Sequence, residues 1–250
     1  MEPCIVKHLS IGSGLPKVCV PITSTKQQDI INDFIKIKDQ DFELIELRID
    51  FFDAILDDQK LISLLQDIKQ LQVHKPIIFT YRSKKEGGNI QLSDNQYYHL
   101  LELACKSKCV DIIDIEYQSK EANQLISLVH QYQLPVILSN HNFHSTPNKE
   151  VLIERLQTMQ SMQGDILKIA VMPRNSKDVL TLLEATNDCY QMLDKPIVTM
   201  SMAGLGAISR MVGEVFGSAI TFAMIGKPSA PGQIELEKLK QVLAIVHQSK

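Results

Sequence analysis

The chain has 250 residues, 44% hydrophobic and 22% charged, and its 26 basic and 29 acidic groups leave a net charge of −3. These values exclude disordered, collagen-like and low-complexity classes, and they give no basic footprint for nucleic acid or an anionic membrane. At this length roughly 70–75% of the unfolded chain's surface can be buried, so a core needs neither a disulfide nor a structural metal.

Residues 1–15 precede the first strand, and Gly12-Ser13-Gly14 marks a turn between two short strands, a β-hairpin. A strand over Val18–Ile22 leads to a helix over 26–38 with Ile30, Ile31, Phe34 and Ile35 on one side. The strand Leu44–Ile49 leads to a helix over 57–71 that aligns Leu61, Leu64, Leu65 and Ile68. Pro76–Arg82 leads to 93–106, with Tyr97, Leu100, Leu101 and Ala104. Asp111–Glu116 then precedes a helix over 119–132, and Pro135–Phe143 one over 147–162. The latter opens with Thr146 as N-cap and Pro147 at the first helical position. Ile166–Met172 precedes 176–190, Pro196–Met202 precedes 206–216, and Ala219–Ile225 precedes 236–247.

Eight strand–helix units recur about every 30 residues, the size of one βα unit. Strands alternating with helices make a parallel sheet. The expected class is α/β, a (β/α)8 TIM barrel over residues 1–250 as a single domain, with the hairpin before the first barrel strand. A doubly wound open sheet is the alternative. It wants a glycine-rich first strand–helix turn, and Pro21-Ile22-Thr23-Ser24 is not one. No apolar run approaches the ~20 residues a membrane span needs. Met1–His8 has no basic region followed by an apolar stretch, which argues against a secretory signal. The five scattered cysteines, Cys4, Cys19, Cys105, Cys109 and Cys189, suit a reducing cytoplasm. Cys105 and Cys109 are four apart but lack a second ligand pair, so they read as buried thiols and no metal site is expected.

Side chains on a barrel strand alternate between the helix layer and the axis. In Leu44–Asp50 the apolar set Ile45, Leu47 and Ile49 belongs to the helices, so Glu46, Arg48 and Asp50 point inward. The same parity puts Arg82, Asp114, His141 and Lys168 inside, beside walls of Met200, Met202 and Phe222. Burying several charges is costly unless they pair or do chemistry. A lone buried lysine is the informative member, because desolvation favours the neutral amine, a nucleophile toward carbonyls. A histidine two strands away can move protons near neutral pH. With arginines to hold an anion, the set reads as imine chemistry on a keto acid; a structural ion network is the alternative. His8, His74, His99, His130 and His247 read as surface or satisfied groups. Gly204-Leu205-Gly206 before a helix offers a phosphate site, although Arg210 one turn on better suits a carboxylate. Residues 226–233 read either as a simple loop or as a mobile lid over the mouth.

Across essentially its whole length the chain resembles type I 3-dehydroquinate dehydratases. The resemblance rests on Glu46-Leu47-Arg48-Ile49-Asp50, Arg82-Ser83-Lys84-Lys85-Glu86-Gly87-Gly88, Asp111–Glu116, Ser139-Asn140-His141-Asn142-Phe143 and Lys168–Pro173, in that order. It ends with Met200-Ser201-Met202-Ala203, Ile208-Ser209-Arg210 and Ser229-Ala230-Pro231-Gly232-Gln233. It implies a lyase of the shikimate pathway that needs no cofactor and converts 3-dehydroquinate to 3-dehydroshikimate. Lys168 would form a Schiff base with the ring ketone. His141 would act as general base and then general acid, and Glu86 would orient His141 and favour its charged form. Arg210 would clamp the substrate carboxylate, with Glu46, Arg48, Arg82, Ser229 and Gln233 as further polar contacts. Met200, Met202 and Phe222 would form apolar walls. The family also implies a cytoplasmic homodimer. Two positions depart from its pattern. Asn142 stands where aspartate is common, and its parity turns it away from His141. Pro21 replaces a serine contact and cannot supply a hydroxyl. A lysine-dependent aldolase and a non-catalytic binding barrel are the competing readings.

Overall fold

The computed structural model describes residues 2–226 and 229–249. An antiparallel hairpin of β1 (Cys4–Val6) and β2 (Leu9–Ile11) opens the chain. Its turn is Lys7-His8, with Lys7 at φ 53°, and not Gly12-Ser13-Gly14 as expected from composition. A two-residue loop suffices for the pairing of Val6 with Leu9, and the glycines follow β2 on the way to the barrel.

Then come β3 (Lys17–Ile22), α1 (Gln27–Ile37), β4 (Leu44–Arg48), α2 (Asp58–Gln70), β5 (Ile77–Thr80), α3 (Asp94–Ser107), β6 (Ile112–Glu116) and α4 (Ala122–Gln131). The chain continues through β7 (Val136–Asn142), α5 (Lys149–Ser161), β8 (Ile166–Val171), α6 (Ser176–Met192), β9 (Ile197–Ser201), α7 (Ala203–Met211), α8 (Gly213–Phe216), β10 (Ile220–Met224), β11 (Ile234–Glu235) and α9 (Leu236–Gln248). The strands from β3 to β9 pair in parallel in chain order, and β10 returns beside β3. A bridge between Ile197 and Ser218 and the bond from Ala219 N to Ile197 O (2.7 Å) join the β9 and β10 ends, closing the ring. β11 is an additional short strand on β10.

The prolines Pro76, Pro135 and Pro196 fall just outside the strands they were expected to begin, since proline has no N–H for the ladder. α5 is capped by Asn148, whose side chain accepts from Val151 N at 3.1 Å. The expected cap, Thr146, spends its hydroxyl on Met172 O instead. The helix expected over 206–216 begins at Ala203 and breaks after Met211. Gly204 and Gly206 therefore lie inside its first turns, and not in a loop before it. A Cβ on Gly206 would lie 2.3 Å from the Ser201 backbone, so this glycine permits the close packing of α7 on β9.

Alternation divides the core in two. Ile45, Leu47, Ile77, Phe79, Ile113, Ile115, Leu138, Leu167 and Ile169 face outward and pack on helix residues such as Phe34, Leu64, Leu101 and Leu156. Leu44, Ile78, Ile112, Ile137, Ile166, Val198 and Ile220 form an inner floor, beneath which the hairpin seats Val6, Leu9 and Ile11. Two residues further along, above that floor, stand the polar Glu46, Thr80, Asp114, Ser139 and Lys168 and, on β9 and β10, the apolar Met200 and Phe222.

Candidate active site

A cavity of about 220 Å³ opens above the floor at the C-terminal ends of the strands. Its walls include Glu46, Arg48, Arg82, Glu86, His141, Lys168, Met200, Met202, Arg210, Phe222, Ser229 and Gln233, which brings every site residue expected from the sequence to one place.

Lys168 projects from β8 and is buried. It is not solitary, as expected, but paired: Nζ lies 3.1 Å from Asp114 Oδ2 and 3.5 Å from Glu46 Oε1, and 4.7 Å above the Phe222 ring. A buried amine surrounded by carboxylates has acceptors for the proton it must lose before attacking a carbonyl. Thr80 Oγ1 donates to Glu46 Oε1 at 3.0 Å and fixes that carboxylate.

Arg82 organises the centre. Its Nη2 donates to Asp114 Oδ1 at 2.7 Å, and Nη1 donates to Ser139 Oγ (2.9 Å) and Glu116 Oε1 (3.2 Å), with Glu86 Oε2 at 3.7 Å. Burial alone would raise the Asp114 carboxyl, but Arg82 and Lys168 overcome it and hold the group at about 2. Glu116 is further committed to Ser83, accepting from its N and Oγ at 2.8 and 2.7 Å. Arg82 is thus largely occupied by protein carboxylates.

Glu86 reaches the cavity from a 3-10 turn, Lys84–Glu86, that follows β5. The turn ends on Gly87 at φ 85°, and a Cβ on Gly88 would lie 1.8 Å from the Arg82 carbonyl oxygen. Glu86 Oε2 accepts from His141 N and meets His141 Nδ1, both at 2.9 Å. Burial and the neighbouring Glu116 push the Glu86 carboxyl up to about 7. Burial, together with Arg82, Lys168 and Arg48, drives His141 well below its ordinary value. The surroundings therefore keep the imidazole neutral, the form a base needs. The pull toward the charged form expected of Glu86 is opposed here by desolvation and three cations. Nε2 makes no hydrogen bond to a described residue. β7 and β8 are adjacent, not two strands apart, and His141 pairs with Ala170, one inward position above Lys168.

Arg210, on α7, is buried with no carboxylate partner among the described residues. Its Nη1 lies 3.7 Å from Met200 Sδ, Nη2 donates to Pro231 O at 3.4 Å, and Nε has no partner. Burial pushes its guanidinium down to about 10. Such a group awaits an anion. Arg48, in contrast, forks onto Asp50 at 2.8 and 2.9 Å and stacks over Phe51. Ser229 and Gln233 engage one another: Gln233 Oε1 accepts from Ser229 N at 2.7 Å, and Nε2 donates to Ser229 Oγ at 2.9 Å. The segment expected as a lid includes Lys227 and Pro228, which lie outside the described residues. Its later part is seated on α7 through Ala203 N to Pro231 O (3.1 Å).

Asn142 turns away from the cavity, as expected, and its Oδ1 accepts from His144 N and Ser145 N in a local turn. Pro21 sits opposite Glu46 in the ladder. Of the other lining residues, Phe143 and Ala170 share the parity of His141 and Lys168, Ala230 and Pro231 belong to the expected lid segment, and Gly87 was not singled out as lining. Sequence parity did not identify Asn140, whose Nδ2 donates to Glu86 Oε1 at 3.1 Å. Its polar character at a helix-facing position was the available signal. His99, His130 and His247 pair with Asp58, Asp165 and Glu214 away from the cavity.

The model of the family Type I 3-dehydroquinase matches residues 18–250. The chain is 44% identical to a 3-dehydroquinate dehydratase of Clostridium novyi over 250 residues, with 99% of each chain covered. It is 42% identical to one from Listeria welshimeri over 249 residues, again with 99% of each covered. Its structure is similar to that of the type I 3-dehydroquinate dehydratase of Clostridium difficile with covalently modified comenic acid, with a TM-score of 0.96, 41% identity and 100% of both chains covered. The Geobacillus kaustophilus 3-dehydroquinate dehydratase is similar at TM-score 0.95 and 33% identity, over 99% of this chain and 97% of that one. With a family model over residues 18–250, relatives 42% and 44% identical over 99% of each chain and the same strand–helix ring, the chain belongs to the type I 3-dehydroquinase family.

Proposed function

We propose that this chain dehydrates 3-dehydroquinate to 3-dehydroshikimate, a step of the shikimate pathway, through a Schiff base on Lys168. The observation that carries the reading is the juxtaposition of Lys168, His141 and the unpaired Arg210 around one cavity. Arg210 takes the substrate carboxylate and so orients the ring, with its ketone toward Lys168. The amine gives up a proton toward Asp114 or Glu46, attacks the carbonyl carbon, and the carbonyl oxygen leaves as water. The iminium nitrogen withdraws electrons from the neighbouring carbon, and His141 Nε2 removes a proton there. The electron pair flows to nitrogen as an enamine and returns to expel the hydroxyl, which takes the proton back from His141 and departs as water. Hydrolysis of the remaining imine frees the product and restores the amine, for a net loss of one water. Glu46, Arg48, Arg82, Ser229 and Gln233 supply polar contacts to the substrate, and Met200, Met202 and Phe222 its apolar walls. Ser229, Ala230, Pro231 and Gln233, in the described part of the expected lid, would lie over the bound ring. The covalently modified comenic acid in the Clostridium difficile relative supports covalent chemistry at such a site.

We also take the functional unit to be a cytoplasmic homodimer. Exposed Leu205, Ile208 and Val215 on α7 and α8 support the association, and five free cysteines support a reducing setting. No described helix is long and apolar enough to cross a membrane. Borohydride with 3-dehydroquinate tests the reaction: it should fix a mass adduct on Lys168, and Lys168→Ala should lose turnover while retaining substrate binding. An adduct on another lysine, or none, rejects the mechanism. No gain in enone absorbance rejects the reaction and leaves an aldolase.

A further inference from the structure

We infer that Arg155 and Asn140, on the helix side of the barrel wall, are positioning residues that fix which ring nitrogen of His141 carries the proton. The inference rests on the proposed role of His141 as base. Asn140 lies on β7 where its neighbours of the same parity, Val136 and Leu138, are apolar, yet it is buried. A polar group there is costly unless its bonds are specific. Arg155 on α5 donates from Nη1 to Asn140 Oδ1 at 2.7 Å. Arginine has donors only, so the atom it meets must be the amide oxygen. That fixes the amide's orientation and aims Nδ2 at Glu86 Oε1 (3.1 Å), with Gln118 Oε1 at 3.4 Å.

Glu86 Oε1 is thereby held as an acceptor, and Oε2 already accepts from His141 N. The remaining contact of Oε2 is His141 Nδ1, which must then be the protonated nitrogen. Nε2 is left with its lone pair toward the cavity, as proton abstraction requires. The donations converge on Glu86, from Arg155 through Asn140 on the helix side and from His141 Nδ1 on the cavity side. Other charged groups bear on the pair. Arg82 from the end of β5, Glu116 from β6, Lys168 from β8 and Arg48 from β4 face it from the barrel. They set its charge but none touches Nδ1. Without Arg155 the amide no longer holds a donor on Glu86 Oε1, so the carboxyl protonates more readily, and a proton on Oε2 donates to Nδ1 and leaves the ring hydrogen on Nε2.

The test is 15N NMR of the histidine rings in the substrate-free enzyme, beside steady-state pH profiles with 3-dehydroquinate. In the parent enzyme at pH 8, Nε2 of His141 should be the unprotonated nitrogen. Arg155→Met should give a mixture of tautomers, a roughly tenfold lower kcat with KM within about twofold, and an acid limb moved up by about one pH unit. Arg155→Lys, which still donates, should restore most of the parental behaviour. If Arg155→Met fails to fold, Arg155→Leu, which also lacks a donor, is read in the same way. A parental ring signal and pH profile in the variant overturn the inference, even if activity falls. Normal turnover in His141→Ala overturns the base assignment instead, and the tautomer measured without substrate keeps the two failures apart.

Discussion

Arg210→Met separates what the site needs for binding from what it costs in stability. The guanidinium is buried against Met200 and Pro231, and its Nε has no partner. Burial pushes its pKa down to about 10. Against an ordinary arginine near ~12.5, that is roughly 3 kcal/mol against the charged form in the folded state. A base whose pKa falls on folding destabilises the fold at every pH below its folded value, and the penalty is relieved only as pH rises past about 10. At pH 7 the penalty is in full force. Methionine has a similar length, carries no charge and keeps much of the apolar contact. The variant should therefore be more stable by ~1–3 kcal/mol, a rise in Tm of roughly 3–8 °C for a chain of this size. The same change would delete the proposed charge-assisted fork to the substrate carboxylate, roughly 3 kcal/mol, so KM should rise about a hundredfold. The value of kcat should fall far less, because Lys168 and His141 are untouched. Thermal melts at pH 7 and enone absorbance against 3-dehydroquinate concentration read both quantities. A variant that melts below the parent and keeps its KM would refute the reasoning, since Arg210 would then be a structural cation.

The Asp114 carboxyl, held at about 2, contributes to stability in full above its unfolded value near ~4, and the contribution is lost as pH falls through about 2. Asp114→Asn should therefore cost roughly 3 kcal/mol at pH 7 in urea unfolding, with the deficit shrinking below pH 4; an equal deficit at pH 3 counts against the ion-pair account. Glu116 helps push Glu86 up to about 7, so Glu116→Gln should move the acid limb of kcat/KM to lower pH; a limb that stays put removes Glu116 from the electrostatics. A Cβ at Gly88 would strike the Arg82 carbonyl, whereas one at Gly204 meets nothing within 4 Å. Gly88→Ala should lose ~2 kcal/mol or more and most activity, and Gly204→Ala should resemble the parent in melts and assays.

Strand number, order and inward parity were legible because a closed parallel barrel imposes a period of two on every strand and of about 30 residues on the whole. Glu46, Arg48, Asp114, His141 and Lys168 could be put inside on that basis alone. Glu86 could not, since it sits on a 3-10 turn where alternation has ended, and only the family resemblance pointed to it. Arg210 likewise depends on where α7 begins, and Ala203 at φ 57° starts that helix three residues before the periodicity suggested. The hairpin turn was misplaced because glycine content outweighed pairing register. The ion pairs of Lys168 escaped the sequence for another reason: parity says which side chains enter the barrel, not which of them meet.

With Val6, Leu9 and Ile11 stoppering the far end beneath the inner floor, the cavity opens, among the described residues, toward the C-terminal ends of the strands. Under the proposed reaction, substrate and product would pass the same rim, beside Arg210 and residues 229–233. A departing product would then compete with the next arrival for one corridor.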